Sequence, residues 1–439
     1  MSDIKEKIDA YLEENRLEMA KNTSEMIQIN TVNAGPGTCD ERPLLDYIEP
    51  LMKEIGMETK RVAFDPEKKR ENLIGVLKGT GKGRDIILNS HADTVPEGNL
   101  DKWTYPPFSG IIADDKVHGR GAVDDKGCMT SILWGIKAIK ENNVPINGDI
   151  YFICSAGEEA AEGKDLGLGP AIVVNEYKDP FCMVIEPSAM ELCPTASGLF
   201  DFKLTVYGKP AHTCARGQML YPQNINLPCG YEVGADALQK ALPYIDYFYR
   251  FEREIALRYR DDLLAGGGKD VPNQVGVGIF TCGPINIHGG GDGLSVMDQV
   301  TITYSCWYPE YAGLEKLIQE IKNGVEAITQ TDEWTRNNPP LLEIPYLFSW
   351  RGAYLDPDHE AVQMWFRVLS DVTNGKGNLA GCPGCTDATF ALERGIPTAV
   401  CGPGNLGGNH LHGPNEYIDI SDLVTTSRMC AHMIAEYCK

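Results

Sequence analysis

The sequence predicts an α/β fold: a mostly parallel mixed sheet flanked by helices, interrupted by an inserted α+β domain. Three observations carry this expectation. Helical and strand patterns alternate through roughly the first 190 residues, as in strands joined by helical crossovers. Near Thr195 the texture changes to a few strands beside two long helices, and after Ser349 the first texture resumes. The expected limits are therefore 1–194 with 350–439 for the α/β part and 195–349 for the insertion.

Each element has a local reason. "MSDIKEKIDAYLEENR" reads as a charged helix, and "RPLLDYIEPLMKEIG" puts Leu44, Leu45, Ile48, Leu51, Met52 and Ile55 at helical spacing behind Pro43. "NLIGVLKG" (72–79) and "DIILNS" (85–90) read as strands. "DKGCMTSILWGIKAIK" sets Met129, Ile132, Leu133, Ile136 and Ile139 on one helical face, and strands follow at "DIYFICS" (149–155) and "FCMVIEP" (181–187). In the insertion, "LFDFKLTVYG", "NQVGVGIFTCG" and "DQVTITYSCWYP" read as strands. The long "GADALQKALPYIDYFYRFEREIALRYR" and the later "GLEKLIQEIKNGVEAI" read as helices. A helix at "HEAVQMWFRVLS" and a buried strand "IPTAVCG" (396–402) return to the first texture.

Composition narrows the class. At 439 residues the chain exceeds what one core ordinarily serves, so two domains are expected. With 43% hydrophobic and 23% charged residues it reads as a soluble globular protein without a membrane span or signal peptide, hence cytoplasmic. The 14 scattered cysteines then read as reduced thiols. A formal charge of −22 excludes a nucleic-acid binder, which needs basic patches to neutralise phosphates.

The chemistry-bearing residues gather at strand ends. His91 sits in "NSHADTVPEG", two residues before Asp93, and a metal-bound imidazole usually donates its second ring N–H to such a partner. Asp124 and Asp125 precede a helix, where one aspartate can serve as a cap. Glu158 and Glu159 follow the strand "DIYFICS", and Glu186 ends "FCMVI". His412 lies in a glycine-rich loop after "IPTAVCG", with His118 and His410 reading as loop residues. Collected together, His91, His412, Asp124, Glu158, Glu159 and Glu186 are two imidazoles and four carboxylates, which suit zinc or a similar ion, and the surplus of carboxylates suggests a pair of ions. Two ions would also make the adjacent glutamates tolerable.

The motifs "SHADTVP", "GRGAVDDKG", "SAGEEAAEG", "VIEP" and "HGPNE", in this order, resemble those of the M20 metallopeptidases, and the resemblance spans nearly the whole chain. That family includes glutamate carboxypeptidase, aminoacylase, acetylornithine deacetylase and succinyl-diaminopimelate desuccinylase. The resemblance implies two divalent ions, zinc with cobalt or manganese as alternatives. His91 and Glu186 would hold one, Glu159 and His412 the other, and Asp124 would bridge them. It further implies that Asp93 orients His91 and that Glu158 is the general base for water activated between the ions. His212, in "GKPAHTCA", would stabilise the oxyanion, often in the partner subunit of a homodimer formed through the inserted domain. The implied reaction is hydrolysis of an amide or peptide bond in a small substrate, such as an N-acyl amino acid or dipeptide. A carbamoyl-acid hydrolase and a diverged metal-binding scaffold are the alternatives.

The sequence departs from the family at positions that select substrate. Thr389 in "PGCTDATF" stands where many members carry a carboxylate-binding arginine. Ser295, Met297 and Trp307 likewise replace familiar residues. Either another cation, such as Arg216 or Arg351, takes over, or the substrate lacks a carboxylate there. Cys382 and Cys385 form a Cys-x-x-Cys pair without a second pair, which reads as structural.

Overall fold

A computed structural model gives the fold and describes every residue except 1, 35–37, 66–69, 160–166, 222–226, 260, 262, 265–279, 291–292, 348 and 405–407. The chain divides into two compact units, one holding Met1–Ala196 and Ala353–Lys439, the other Ser197–Gly267 and Pro272–Gly352.

The first unit is built on a mixed sheet. Its strands lie in the order Glu58–Asp65, Arg70–Leu77, Ile150–Ser155, Ile86–His91, Phe181–Val184 and Thr398–Val400, followed by the first residues of Glu191–Tyr207. The four strands from Ile150–Ser155 to Thr398–Val400 run parallel, and antiparallel pairs flank them. Their largely apolar sequences are the reason. "IYFICS", "IILNSH" and "FCMV" are buried at every position, as parallel strands covered on both faces must be. Each fully buried leucine, isoleucine or phenylalanine contributes about 1.5–3 kcal/mol to that arrangement. Parallel direction also sets the chemistry. His91 ends one strand, Ser155 ends its neighbour three residues before Glu158, and Val184 stands two before Glu186. All leave the sheet at the carboxyl edge, where open α/β sheets bind ligands.

The helix Lys126–Glu141 was expected to bury one face, yet it is buried nearly all round. It packs on the sheet and is also covered by Ile420–Tyr437, where Ser131 Oγ donates to the Leu423 carbonyl at 3.3 Å. A small antiparallel sheet of Ile111–Ala113, Lys116–His118 and Tyr417–Asp419 places His118 on a strand rather than in a loop. Its ring lies 5.0 Å from Tyr105 and 5.9 Å from Tyr417 between centroids, which makes it a packing residue.

In the second unit, the remainder of Glu191–Tyr207 pairs antiparallel with Gln299–Pro309, which pairs with Thr281–Gly289. The strand expected over 273–283 lies mostly outside the described residues. Helices Ala237–Arg258 and Leu314–Thr329 contribute to the core around Phe202, which stacks on Tyr304 at 4.6 Å with 11° between planes. The unit runs past residue 349 because Ser349 and Trp350 pair with Phe200 and Leu199. In the first unit, Thr195 pairs with Tyr354 and Ala196 with Ala353, so the insertion leaves and returns at neighbouring residues.

Candidate metal centre and active site

His91 closes a fully buried strand, and its ring is only 2% exposed. Nδ1 lies 3.0 Å from the backbone carbonyl of Asp93 and 3.6 Å from the Asp93 carboxylate. An Nδ1–H donated to that carbonyl leaves Nε2 as the free lone pair, the tautomer a metal ligand needs. Nε2 in turn sits 2.9 Å from Asp124 Oδ1.

The Asp93 carboxylate has other work. Oδ1 accepts the backbone N–H groups of Gly157 at 3.0 Å and Glu158 at 3.1 Å. Oδ2 accepts Glu159 N–H at 3.1 Å and the Asn33 side chain at 2.8 Å. The segment can wrap this carboxylate because Gly157 adopts φ of 84°, a left-handed conformation that favours glycine. Asp93 therefore clamps the turn that carries both glutamates, in addition to standing beside His91.

The aspartate doublet divides its labour. Asp125 occupies the position before helix Lys126–Glu141, but no side-chain cap forms there. Its Oδ2 instead accepts Ser90 Oγ at 2.6 Å and His91 N–H at 3.0 Å, which ties it to the strand end. Asp124 turns one oxygen toward each imidazole: Oδ1 to His91, and Oδ2 to His412 Nε2 at 3.1 Å. Glu159 Oε2 lies 3.3 Å from the same His412 nitrogen.

Two donor groups result, His91 with Asp124 and Asp125, and Asp124 with Glu159 and His412, each with ligand atoms within 4.8 Å of one another. Glu186 belongs to neither group. Its backbone is closely packed, since a Cβ on Gly402 would come within 2.4 Å of the Glu186 carbonyl oxygen. Asp125 Oδ1, Glu159 Oε1 and Glu186 Oε1 are buried and, among the described residues, have no hydrogen-bond partner. Unpartnered buried carboxylate oxygens beside two imidazoles are what divalent cations satisfy, so this donor set fits a two-ion site.

Electrostatics agree with that fit. Burial, and then the charges of Glu186 and Glu159, push the Glu158 carboxyl well above its usual range. Burial likewise raises Glu186 and Glu159, with Asp124 adding to the Glu159 shift. Hydrogen bonds to Asp124 and Glu159 raise His412 to about 10. Burial opposes the His91 cation, but its bonds to Asp124 and Asp93 prevail and hold it well above the ordinary value. All five shifts are upward in the ion-free protein. Each such group contributes stability below its ordinary value and loses it as pH rises through the folded value. Asp124 and Asp93 are shifted down, and their contribution is lost only as pH falls below the ordinary carboxylate range. Chelator-stripped protein is therefore expected to melt at a lower temperature at pH 8.5 than at pH 6, and a saturating divalent ion to remove that fall. Calorimetry at the two pH values checks this; an unchanged or rising melting temperature in the stripped protein contradicts it.

His212 lies in the second unit and is exposed, with Nδ1 accepting the Cys214 N–H at 3.2 Å. That bond places the proton of the neutral ring on Nε2, leaving it as a donor. Cys382 is buried and Cys385 half-buried, both free; burial pushes Cys382 up to about 12 and raises Cys385 as well, which opposes a reactive thiolate. The residue pattern did not single out Asn33 or Asp387. Asp387 accepts Ser155 Oγ at 2.5 Å and the Leu168 N–H at 2.9 Å, close to the glutamate turn. The doublet with Asp124 was the available signal for Asp125, whereas Asn33, sixty residues before Asp93, carried none.

A model of peptidase family M20/M25/M40 matches residues 87–436. The chain is similar to N-formyl-4-amino-5-aminomethyl-2-methylpyrimidine deformylase of Halalkalibacterium halodurans, 24% identical and covering 99% of this chain and 97% of that protein. It is also similar to acetylornithine deacetylase of Buchnera aphidicola, 24% identical over 94% of this chain and 96% of that protein. Among solved structures, the fold resembles the YXEP protein of Bacillus subtilis, described as a dinuclear metal binding peptidase. The TM-score is 0.64 at 15% identity, covering 97% of this chain and 99% of that one.

Proposed function

The chain belongs to peptidase family M20/M25/M40, and from that premise we propose that it is a two-metal hydrolase that releases a small amine from its N-acyl derivative. The observation that carries this reading is Asp124, whose two oxygens are divided between His91 and His412 as a bridge between two ions requires. His91, Asp124, Glu159, His412 and Glu186 are assigned as ligands, with Asp125 close enough to His91 and Asp124 to join them. Zinc is the expected ion, and cobalt or manganese suits the same donors.

Two divalent ions, when bound, polarise the scissile carbonyl and lower the pKa of water from about 15.7 to near 7. The protein's own groups supply the proton traffic. Glu158, held by its backbone on Asp93, takes the proton of the attacking water and returns it to the leaving nitrogen. His212 donates from Nε2 to the developing oxyanion.

Substrate choice follows from cations already engaged. Arg216 pairs with Asp236 at 2.7 Å, and Arg351 with Glu315 at 2.5 Å and Glu310 at 3.7 Å. Thr389 is buried within Ala388–Leu392. These pairings favour a substrate without a carboxylate, and the deformylase relative is named for such an amine. The test is a panel of N-formyl and N-acetyl aminomethyl heteroaromatics, N-acyl amino acids and dipeptides, assayed on zinc- and cobalt-loaded protein. Turnover of the carboxylate-free amides at least tenfold faster is expected; faster turnover of N-acyl amino acids would reverse the assignment.

A homodimer through the inserted domain completes the reading. It is supported by the outer strand Thr281–Gly289, which leaves Ile285 67% and Ile287 50% exposed, and by Leu242 on Ala237–Arg258. No helix among the described residues is long and apolar enough to cross a membrane, and the free thiols support a cytoplasmic compartment.

A further inference from the structure

Beyond the ligands, one buried ion pair touches three of the segments that carry them. Glu416, fully buried, receives the Arg120 guanidinium. Its Oε2 also accepts the Gly121 N–H at 3.1 Å, and its Oε1 the N–H groups of Val123 at 3.0 Å and Asp124 at 3.2 Å. The Glu416 backbone carbonyl takes the Gly119 N–H at 2.9 Å. From the same guanidinium, Nη2 donates to the carbonyls of Pro96 and Gly413, each at 3.2 Å. The pair thus grips the segment after His91, the turn holding Asp124, and the loop holding His412. That loop needs holding. His412 sits at φ of 58°, a conformation that a non-glycine residue keeps only when its surroundings fix it.

We propose that Glu416, held by Arg120, is a positioning residue that sets the bridging Asp124 against His412 and so couples the two ion sites. The proposal rests on the two-ion reading above. A buried ion pair that served only the core would have no reason to spend three of its acceptor contacts on the backbone of one ligand turn. Because Asp124 serves both ions, loss of its support weakens both. Loss of a ligand private to one ion weakens that one.

The test is a cobalt(II) titration of chelator-stripped full-length protein against a competing chelator, with the visible absorption of the loaded protein recorded. Two equivalents bound by the parent test the two-ion reading by itself. Glu416→Gln is expected to weaken both equivalents about 10- to 100-fold and to alter the absorption bands. Glu159→Gln is expected to weaken one. The control is Asp85→Asn, at the opposite strand ends, where the carboxylate accepts Asp149 N–H at 2.8 Å and Lys178 N–H at 2.7 Å. It loses a comparable buried acceptor and is expected to keep both affinities. Parental affinity in Glu416→Gln, loss of one equivalent only, or an equal loss in Asp85→Asn overturns the proposal. If Glu416→Gln fails to fold, Arg120→Lys keeps the charge but loses the fork to Pro96 and Gly413. It is expected to bind both equivalents several-fold more weakly with bands altered in the same way, and parental binding by it overturns the proposal equally.

Discussion

Glu158→Gln is expected to bind two ions as the parent does while kcat falls about 10²–10⁴-fold. The side chain keeps its shape and its N–H still reaches Asp93, since that bond comes from the backbone. What disappears is the ability to accept a proton. An amide also removes one negative charge from a cluster in which burial and Glu186 already raise the Glu158 carboxyl, so the substitution should not cost stability. Metal analysis and steady-state kinetics on the same sample decide it. Near-parental kcat in the fully loaded variant would remove Glu158 from the proton pathway, and loss of an ion would reassign it as a ligand.

Asp93→Asn is expected to have the second-largest effect, and to reach the glutamates before His91. One of the two oxygens, each of which accepts two donors, becomes an NH₂ facing N–H groups. Each donor left unpaired costs about 1–3 kcal/mol, enough to release the turn. His91 Nδ1 keeps its closer partner, the backbone carbonyl of residue 93, which the substitution does not touch. The expected outcome is a kcat loss of about 10²-fold or more with weakened binding at the Glu159 ion and near-parental binding at the His91 ion. If the variant instead loses the His91 ion first, the carboxylate acts chiefly on the imidazole and not on the turn.

The parallel sheet was legible because "FCMV" is an unbroken run of non-polar side chains and "IILNSH" opens on three in a row, each bounded by turn residues. Helix Lys126–Glu141 was legible as a helix but not in its burial, since its second cover comes from Ile420–Tyr437, far along the chain. At the metal centre, residue type and strand-end position pointed to His91, the glutamate pair and His412. The supporting contacts were not readable. Asn33 on Asp93, Asp387 on Ser155 and Glu416 on the Asp124 turn are defined by geometry between distant segments, and no spacing rule encodes them. Asp125 shows the limit within a motif: its place before a helix suggested a cap, while its carboxylate goes to Ser90 and His91.

The insertion has a consequence for the order in which the protein assembles during synthesis. Thr398–Val400 is a parallel strand beside Phe181–Val184, yet the ribosome delivers it roughly two hundred residues later, about 10–40 s at ordinary elongation rates. Until then Phe181–Val184 has one side of its backbone unpaired by its final neighbour. The inserted unit, whose strands and helices are contiguous in sequence, can fold within that interval. His412 emerges last of the assigned ligands, so the nascent chain carries an unbalanced group of carboxylates until that loop has been made.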